Sequence, residues 1–133
     1  MQSVDRQSQI EFILDHYESP RNYGEMPDAD AHVEGGNPGC GDLVTVYIKV
    51  QGERLEKISF VGEGCTISQA STSMLTELVE GKTLEELQHL DHRTLIGVLG
   101  EESLNTRPRC ATLGLDVLKA VLREYRRQQV MGR

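Results

Sequence analysis

The sequence predicts an α+β domain in which helices pack on one face of a three-stranded antiparallel sheet. Three observations lead to this fold class. Residues 43–50 alternate apolar and polar side chains, residues 55–61 form a second apolar run after a short turn, and the apolar spacing becomes helical from residue 67 onward. Because the strands precede the helices, we expect a meander sheet covered by helices on one side. A length of 133 residues predicts one domain, residues 1–133.

The two central strands are predicted from side chains that repeat with a period of two. In the first strand, the inward positions are Val44, Val46, Ile48 and Val50. Residues 51–54 form the turn, and Ile58 and Phe60 lie in phase on the returning strand. Residues 31–34 predict an outer strand that completes the sheet.

Five helices are predicted from apolar spacing and from residues that cap or end helices. The first covers residues 9–18 and ends before Pro20, and its apolar residues are expected to pack on the sheet. The second helix ends at Gly81. A short third helix follows, for which Thr83 and Glu86 suit a capping box, and Asp91 caps a fourth helix. The last helix begins at Pro108. The predicted inward residues are Ile10, Ile13, Leu14 and Tyr17 in the first helix; Ile67, Ala70, Ser71, Met74, Leu75, Leu78 and Val79 in the second; and Ala111, Gly114, Val117, Leu118, Val121 and Leu122 in the last.

Composition and charge exclude several classes of function. The 14 basic residues against 21 acidic ones give a net charge of −7, which disfavours binding to a phosphate backbone. No apolar run approaches the roughly 18 residues of a membrane span, and residues 1–12 lack the features of a secretory signal, so we expect a soluble cytoplasmic protein. One basic stretch stands apart, formed by Arg123, Arg126, Arg127 and Arg133. It is either a solvated helix end or a docking surface for an acidic partner.

All three cysteines lie at junctions of secondary structure. Cys40 precedes the first central strand, whereas Cys65 and Cys110 lie in the first turns of predicted helices. The positive end of a helix dipole is expected to lower the pKa of these two thiols. A core cysteine is the common alternative, but it would not need the glycines that flank Cys40 and precede Cys65. Asp42 is the natural fourth ligand, because a turn at Gly41 lets side chains 40 and 42 converge; the alternative is a loop carboxylate that caps a turn.

Three thiolates and one carboxylate suit tetrahedral zinc or an iron–sulfur cluster. The spacing of the cysteines does not distinguish a zinc site from an iron–sulfur cluster site. None of the four histidines stands beside a cysteine, so Cys–His acyl-transfer chemistry has no local support. A purely structural zinc site is a further alternative, and the apolar strands and helices argue against it because they supply a core without metal.

Several separated motifs, in the same order, resemble the N-terminal domain family of the IscU, SufU and NifU iron–sulfur cluster assembly proteins. They are LDHYESPRNYG (14–24), GGNPGCGD (35–42), FVGEGCTISQASTSML (60–75) and RCATLGLDVLKAVL (109–122). The resemblance implies an IscU/SufE-like α+β fold. It also implies that Cys40, Asp42, Cys65 and Cys110 hold the cluster or zinc.

By this resemblance the protein is a scaffold or carrier rather than an enzyme. It would accept sulfur from a cysteine desulfurase at Cys110, assemble a labile [2Fe–2S] cluster and pass it to apo iron–sulfur proteins. We expect Arg109 to help keep Cys110 as the thiolate, and we expect Asp42 to make the cluster releasable because a carboxylate binds soft metal centres less firmly than thiolate. No nucleic-acid or membrane partner is expected.

Two departures from the IscU pattern leave a second function open. Arg109 replaces the histidine that precedes the last cysteine, as in the SufU branch, and residues 103–108 lack the Leu-Pro-Pro-Val-Lys motif, which puts recognition by the dedicated Hsp70 chaperone in doubt. The alternative is a zinc-dependent persulfide sulfurtransferase that uses the same four ligands. The short segment between Cys65 and Cys110 favours the scaffold, because it lacks room for the insertion of the SufU branch.

Overall fold

The computed structural model describes residues 6–37, 41–100 and 108–131. The elements follow in the order α1 (Arg6–Glu18), β1 (Ala31–Asn37), β2 (Asp42–Gln51), β3 (Arg54–Glu63), α2 (Thr66–Val79), α3 (Leu84–Gln88), α4 (His92–Leu99) and α5 (Pro108–Met131). Cys40 lies outside the described residues, as do Arg133 and most of the segment that replaces the chaperone motif. Among the described residues, no helix is both long enough and apolar enough to cross a membrane.

The sheet is an antiparallel meander in the order β1-β2-β3. Its central strand pairs Val46 with Val33 on one side and with Phe60 on the other. A two-residue turn joins β2 to β3, and Gly52 occupies its first central position with φ +64, as a type II′ hairpin requires. The predicted three-stranded α+β fold is therefore confirmed, with β1 three residues longer than predicted.

Helices cover one face of this sheet. The side chains of Val44, Val46 and Ile48 are buried on that face, and α5 lies across β1 and β2 while α2 contacts β3. A shift of register between Lys49 and Val50 adds one residue to β3, so both Leu55 and Ile58 point into the core. Every predicted inward residue of α5 is buried.

The predicted helix signals also appear in the structure. Thr83 and Glu86 form the capping box of α3, and the Oδ1 of Asp91 accepts a hydrogen bond from the N–H of Arg93 at 2.9 Å. Gly81 follows the end of α2 with φ +88, the left-handed conformation that commonly ends a helix.

The prediction for the buried face of α1 is wrong. Of its four predicted inward residues only Ile13 is buried, and Ile10, Leu14 and Tyr17 are exposed. His16 is buried instead, because α1 packs against α2 rather than on the sheet. There the Nδ1 of His16 lies 2.7 Å from the Oγ of Ser73.

Candidate metal centre

Three of the four predicted ligands meet where β2, α2 and α5 begin. Asp42 is the first residue of β2, Cys65 is the N-cap of α2, and Cys110 is the third residue of α5. One ligand atom from each of these residues lies within 4.8 Å of the other two. The fourth predicted ligand, Cys40, is outside the described residues. The structure thus brings together side chains that are 68 positions apart in the chain, from Asp42 to Cys110.

Asp42 is held in place by the start of α2. Its Oδ1 accepts a hydrogen bond from the N–H of Cys65 at 2.8 Å, and its Oδ2 lies 3.8 Å from the Sγ of Cys65. The carboxylate therefore satisfies a backbone donor at a helix N-terminus, where negative charge is favoured. Although the side chain is only 1% exposed, one of its oxygens still faces the sulfur of Cys65.

Gly64 makes this approach of Asp42 geometrically feasible. Its φ of +136 is a conformation that side-chain-bearing residues rarely adopt, and a Cβ at this position would overlap Asp42 Oδ1. The same Cβ would lie 2.9 Å from the Cα of Asp42. Gly41 also has a positive φ, +72, so the chain turns just before Asp42 as the sequence predicts.

Close packing between α2 and α5 sets the positions of the two thiols. The Oγ of Ser71 donates a hydrogen bond to the carbonyl of Ala111 at 2.7 Å, one residue after Cys110. At the next turn, Gly114 lies so close to Thr72 that a Cβ would overlap the Thr72 Oγ1. These contacts join α2 to α5 next to the site, so the separation of Cys65 and Cys110 is determined by packed backbone rather than by mobile loops.

The electrostatic environment of Cys110 differs from the sequence-based prediction. Burial raises the pKa of the Cys110 thiol, and neighbouring Asp42 and Cys65 raise it further. The expected lowering by the helix dipole is therefore wrong for this residue. Arg109 is exposed, and it is not among the groups that shift this pKa.

The donor set fits a thiophilic metal ion or an iron–sulfur cluster. Two thiols and one carboxylate crowd together, and a bound cation would balance the negative charge that two thiolates and a carboxylate bring to one place. Thiolates select zinc and iron–sulfur clusters over hard ions such as magnesium. Cys110 is buried and Cys65 is partly exposed, so the set has one deep thiol and one that reaches the surface.

Sequence reasoning found the donors but missed the residues that position them. Ser71 and Gly114 appeared in it only as inward-facing positions of their helices. A glycine in the interior of a helix is the sequence feature that could have indicated close helix contact. Such a glycine destabilises the helix by about 1 kcal/mol relative to alanine, so its presence suggests that close packing excludes a side chain. No local sequence pattern indicates the hydrogen bond from the N–H of Cys65 to Asp42, because it joins residues 23 positions apart.

Comparison with known proteins gives matches along most of the chain. Residues 9–131 match the model of the NifU-like N terminal domain family. The iron–sulfur cluster assembly scaffold protein IscU 1 of Archaeoglobus fulgidus is 39% identical over 116 residues, which cover 87% of this chain and 75% of the relative. The zinc-dependent sulfurtransferase SufU of Bacillus subtilis is 45% identical over 73 residues, covering 55% of this chain and 49% of the relative.

A solved structure shares the fold. It is a candidate iron–sulfur cluster assembly scaffold protein for the SUF system from Fervidobacterium islandicum AW-1. It superposes with a TM-score of 0.72 at 30% sequence identity and covers 84% of this chain and 94% of its own.

Proposed function

This chain belongs to the NifU-like N terminal domain family, and from that membership we propose that it is a scaffold on which an iron–sulfur cluster is assembled and then released. The observation that best supports the proposal is the convergence of Asp42, Cys65 and Cys110 from three separate elements. A carboxylate and two thiols, with one ligand atom from each within 4.8 Å of the others, form a donor set for a thiophilic metal or cluster.

In this proposal the cluster is cargo, and four side chains hold it. Cys65, Cys110 and Asp42 supply three ligands, and Cys40 supplies the fourth. Thiolate ligands are those that [2Fe–2S] clusters normally take from proteins. Replacing one thiolate by the Asp42 carboxylate weakens one metal–ligand bond, so the cluster is held firmly enough to form and loosely enough to leave.

Sulfur enters by transfer from a persulfide on a cysteine desulfurase. The thiolate of Cys110 attacks the outer sulfur of that persulfide, a new S–S bond forms on Cys110, and the old S–S bond breaks. The electron pair of the broken bond leaves on the cysteine thiolate of the desulfurase. Conversion of the transferred sulfur to sulfide then consumes two electrons from an external reductant. Because burial raises the pKa of Cys110, its thiolate form requires a cation in the site or a partner that opens it.

Apo iron–sulfur proteins would receive the completed cluster. The carboxylate of Asp42 is the natural ligand to be displaced, since an incoming thiolate of the acceptor forms the stronger bond. We expect Asp42→Ala to slow loss of the cluster to an apo-ferredoxin. Asp116→Ala, which removes an exposed carboxylate on α5, is the matched control and should transfer at the wild-type rate. Equal transfer rates for Asp42→Ala and wild type would contradict this role of Asp42.

A zinc-dependent sulfurtransferase is the second candidate function, and the similarity to SufU over 73 residues favours it. Arg109, the residue before Cys110, agrees with that branch. In this case Asp42, Cys65 and Cys110 would hold zinc together with Cys40. The metal would keep Cys110 deprotonated until the desulfurase arrives, and no cluster would be built.

Anaerobic reconstitution distinguishes the two functions. The protein is mixed with ferrous iron, cysteine, a reductant and a cysteine desulfurase, and absorption and Mössbauer spectra are followed before an apo-ferredoxin is added. The scaffold predicts a [2Fe–2S] spectrum that is lost in Cys65→Ser and Cys110→Ser and a cluster that moves to the ferredoxin. Retained zinc, relayed persulfide sulfur and no transferable cluster would overturn the scaffold in favour of the sulfurtransferase.

A further inference from the structure

The C-terminal half of α5 forms one wall of a groove that the proposed function does not use. The groove has a volume of about 470 Å³ and lies between α5 and the end of α3. Four cationic residues line it at helical spacing: Lys119, Arg123, Arg126 and Arg127. Residues at i, i+4 and i+7 share one face of a helix, so these cations form a single stripe.

This stripe has more positive charge than its neighbours neutralise. Arg126 pairs with Glu53 at 3.4 Å, and Arg127 pairs with Glu124 at 2.7 Å. Lys119 donates a hydrogen bond to the carbonyl of Gln88 at 3.4 Å, and among the residues that the structure describes neither Lys119 nor Arg123 has an ion pair. Four cations against two carboxylates leave an excess of two positive charges in a chain whose net charge is −7.

The groove is also apolar where the cations do not reach. Leu122 lines it from the core side, and Val130 borders it with 78% of its side chain exposed. The alkyl stems of the long basic residues add apolar surface, while their charged ends reach the solvent. Covering the exposed valine would remove apolar surface from water, and the surrounding cations attract acidic groups. This surface therefore suits a partner that brings both apolar and acidic groups.

We propose that this groove docks an acidic amphipathic segment of a partner protein. The apolar side chains of that segment would cover Val130 and the alkyl stems of the basic residues, and its carboxylates would pair with Lys119 and Arg123. A nucleic acid fits the groove less well, because a phosphate backbone has no apolar side chains to place against Val130.

The position of the groove separates this partner from the metal centre. Arg123 lies thirteen residues after Cys110 on the same helix, which at 1.5 Å per residue is about 20 Å. A segment bound in the groove therefore does not cover the metal centre, where Cys65 is partly exposed, and it leaves that end of α5 free for a second protein. The docking surface would hold one partner while cluster or sulfur chemistry proceeds at the other end of α5.

The test uses the full chain and a short synthetic peptide with glutamates on one helical face and leucines on the other. Binding is followed by fluorescence anisotropy of the labelled peptide and by amide NMR shifts of the protein. We expect shifts confined to α5 beyond Lys119 and to the end of α3. Arg123→Glu should weaken binding about tenfold, and Val130→Asp should weaken it by a similar factor.

A matched control and two competing probes make the outcome decisive. Lys57→Glu changes the net charge by the same amount at an exposed position on β3, and it should bind the peptide like wild type. A peptide with lysine in place of glutamate should not bind. Equal binding by Arg123→Glu and Lys57→Glu would overturn the proposal. Tighter binding of inorganic polyphosphate than of the acidic peptide would also overturn it. So would a dimer of this chain in light scattering that Arg123→Glu dissociates, because a second copy would then occupy the groove.

Discussion

The helix α2 makes its two most extensive helix contacts, with α5 and with α1, by different means. Towards α5 it is packed tightly: Thr72 touches the backbone at Gly114, and Ser71 is hydrogen-bonded to the carbonyl of Ala111. Towards α1 the contact is equally extensive but contains a polar, ionisable pair: beside Ile13, the Nδ1 of the buried His16 lies 2.7 Å from the Oγ of Ser73. The first contact adjoins the candidate metal centre, whereas the second does not.

This difference shows which part of the fold must be rigid for the proposed function. Cys65 and Cys110 have to keep their separation when a cluster forms and leaves, and the α2–α5 contact provides that constraint. The α1–α2 contact depends on an ionisable group, so its strength varies with pH. We therefore expect substitutions at the α2–α5 side to change both stability and metal binding, and those at the α1 side to change stability alone.

The largest effect is expected for Gly64→Ala. A Cβ at this position overlaps the carboxylate of Asp42, so zinc affinity should fall about 10- to 100-fold as one ligand is displaced. The measurement is competition for zinc with a chromophoric chelator. Gly81→Ala is the matched control, because Gly81 also has a positive φ but nothing lies within 4 Å of the added Cβ. It should lose stability and retain affinity; equal losses of affinity in both variants would contradict the prediction.

The second largest effect is expected for Gly114→Ala, which should lower the free energy of unfolding by about 1–3 kcal/mol. Alanine favours a helix more than glycine does, so any loss of stability reports the clash with Thr72. Urea denaturation measures it. Combining the change with Thr72→Ala should restore part of the loss. An unchanged or higher stability of Gly114→Ala would show that α2 and α5 can move apart without cost.

Ser71→Ala should lower the free energy of unfolding by about 1 kcal/mol, because a buried hydrogen bond to Ala111 is lost. Its effect on zinc affinity should be smaller than that of Gly64→Ala, since no ligand is displaced directly. Thr112→Ala serves as the control, because the Thr112 hydroxyl donates its hydrogen bond within its own helix, to the carbonyl of Pro108. A larger loss for Thr112→Ala than for Ser71→Ala would rule out the contact between helices as the cause.

The smallest effect concerns His16 on the α1 side. Burial, followed by the charge of Arg21, lowers the pKa of His16 from 6.5, although Glu77 and Asp15 act in the opposite direction. Below about pH 6.5, His16 therefore binds a proton more readily in the unfolded chain than in the folded chain. The free energy of unfolding decreases as the pH falls through this range. His16→Asn should flatten that part of the stability curve in urea titrations. Zinc affinity compared at pH 7 should be unchanged by this variant.

Much of the fold follows from local pattern. The alternation around Val46 and Ile48, the capping box at Thr83 and the glycine after α2 each concern neighbours within a few residues, so the sequence alone indicates them. α1 shows the limit of such reasoning. Its apolar residues predict one buried face, but burial depends on the surface that α2 presents, and His16 is buried because Ser73 offers it a hydrogen-bond partner.

For the site, local features such as glycines and helix starts already indicate the donor types and their places at the ends of elements. The meeting of Asp42, Cys65 and Cys110, the hydrogen bond from the N–H of Cys65 to Asp42 and the raised pKa of Cys110 all come from the fold as a whole. Distances across the fold and loss of solvent result from packing residues far apart in the chain, and no local pattern encodes them.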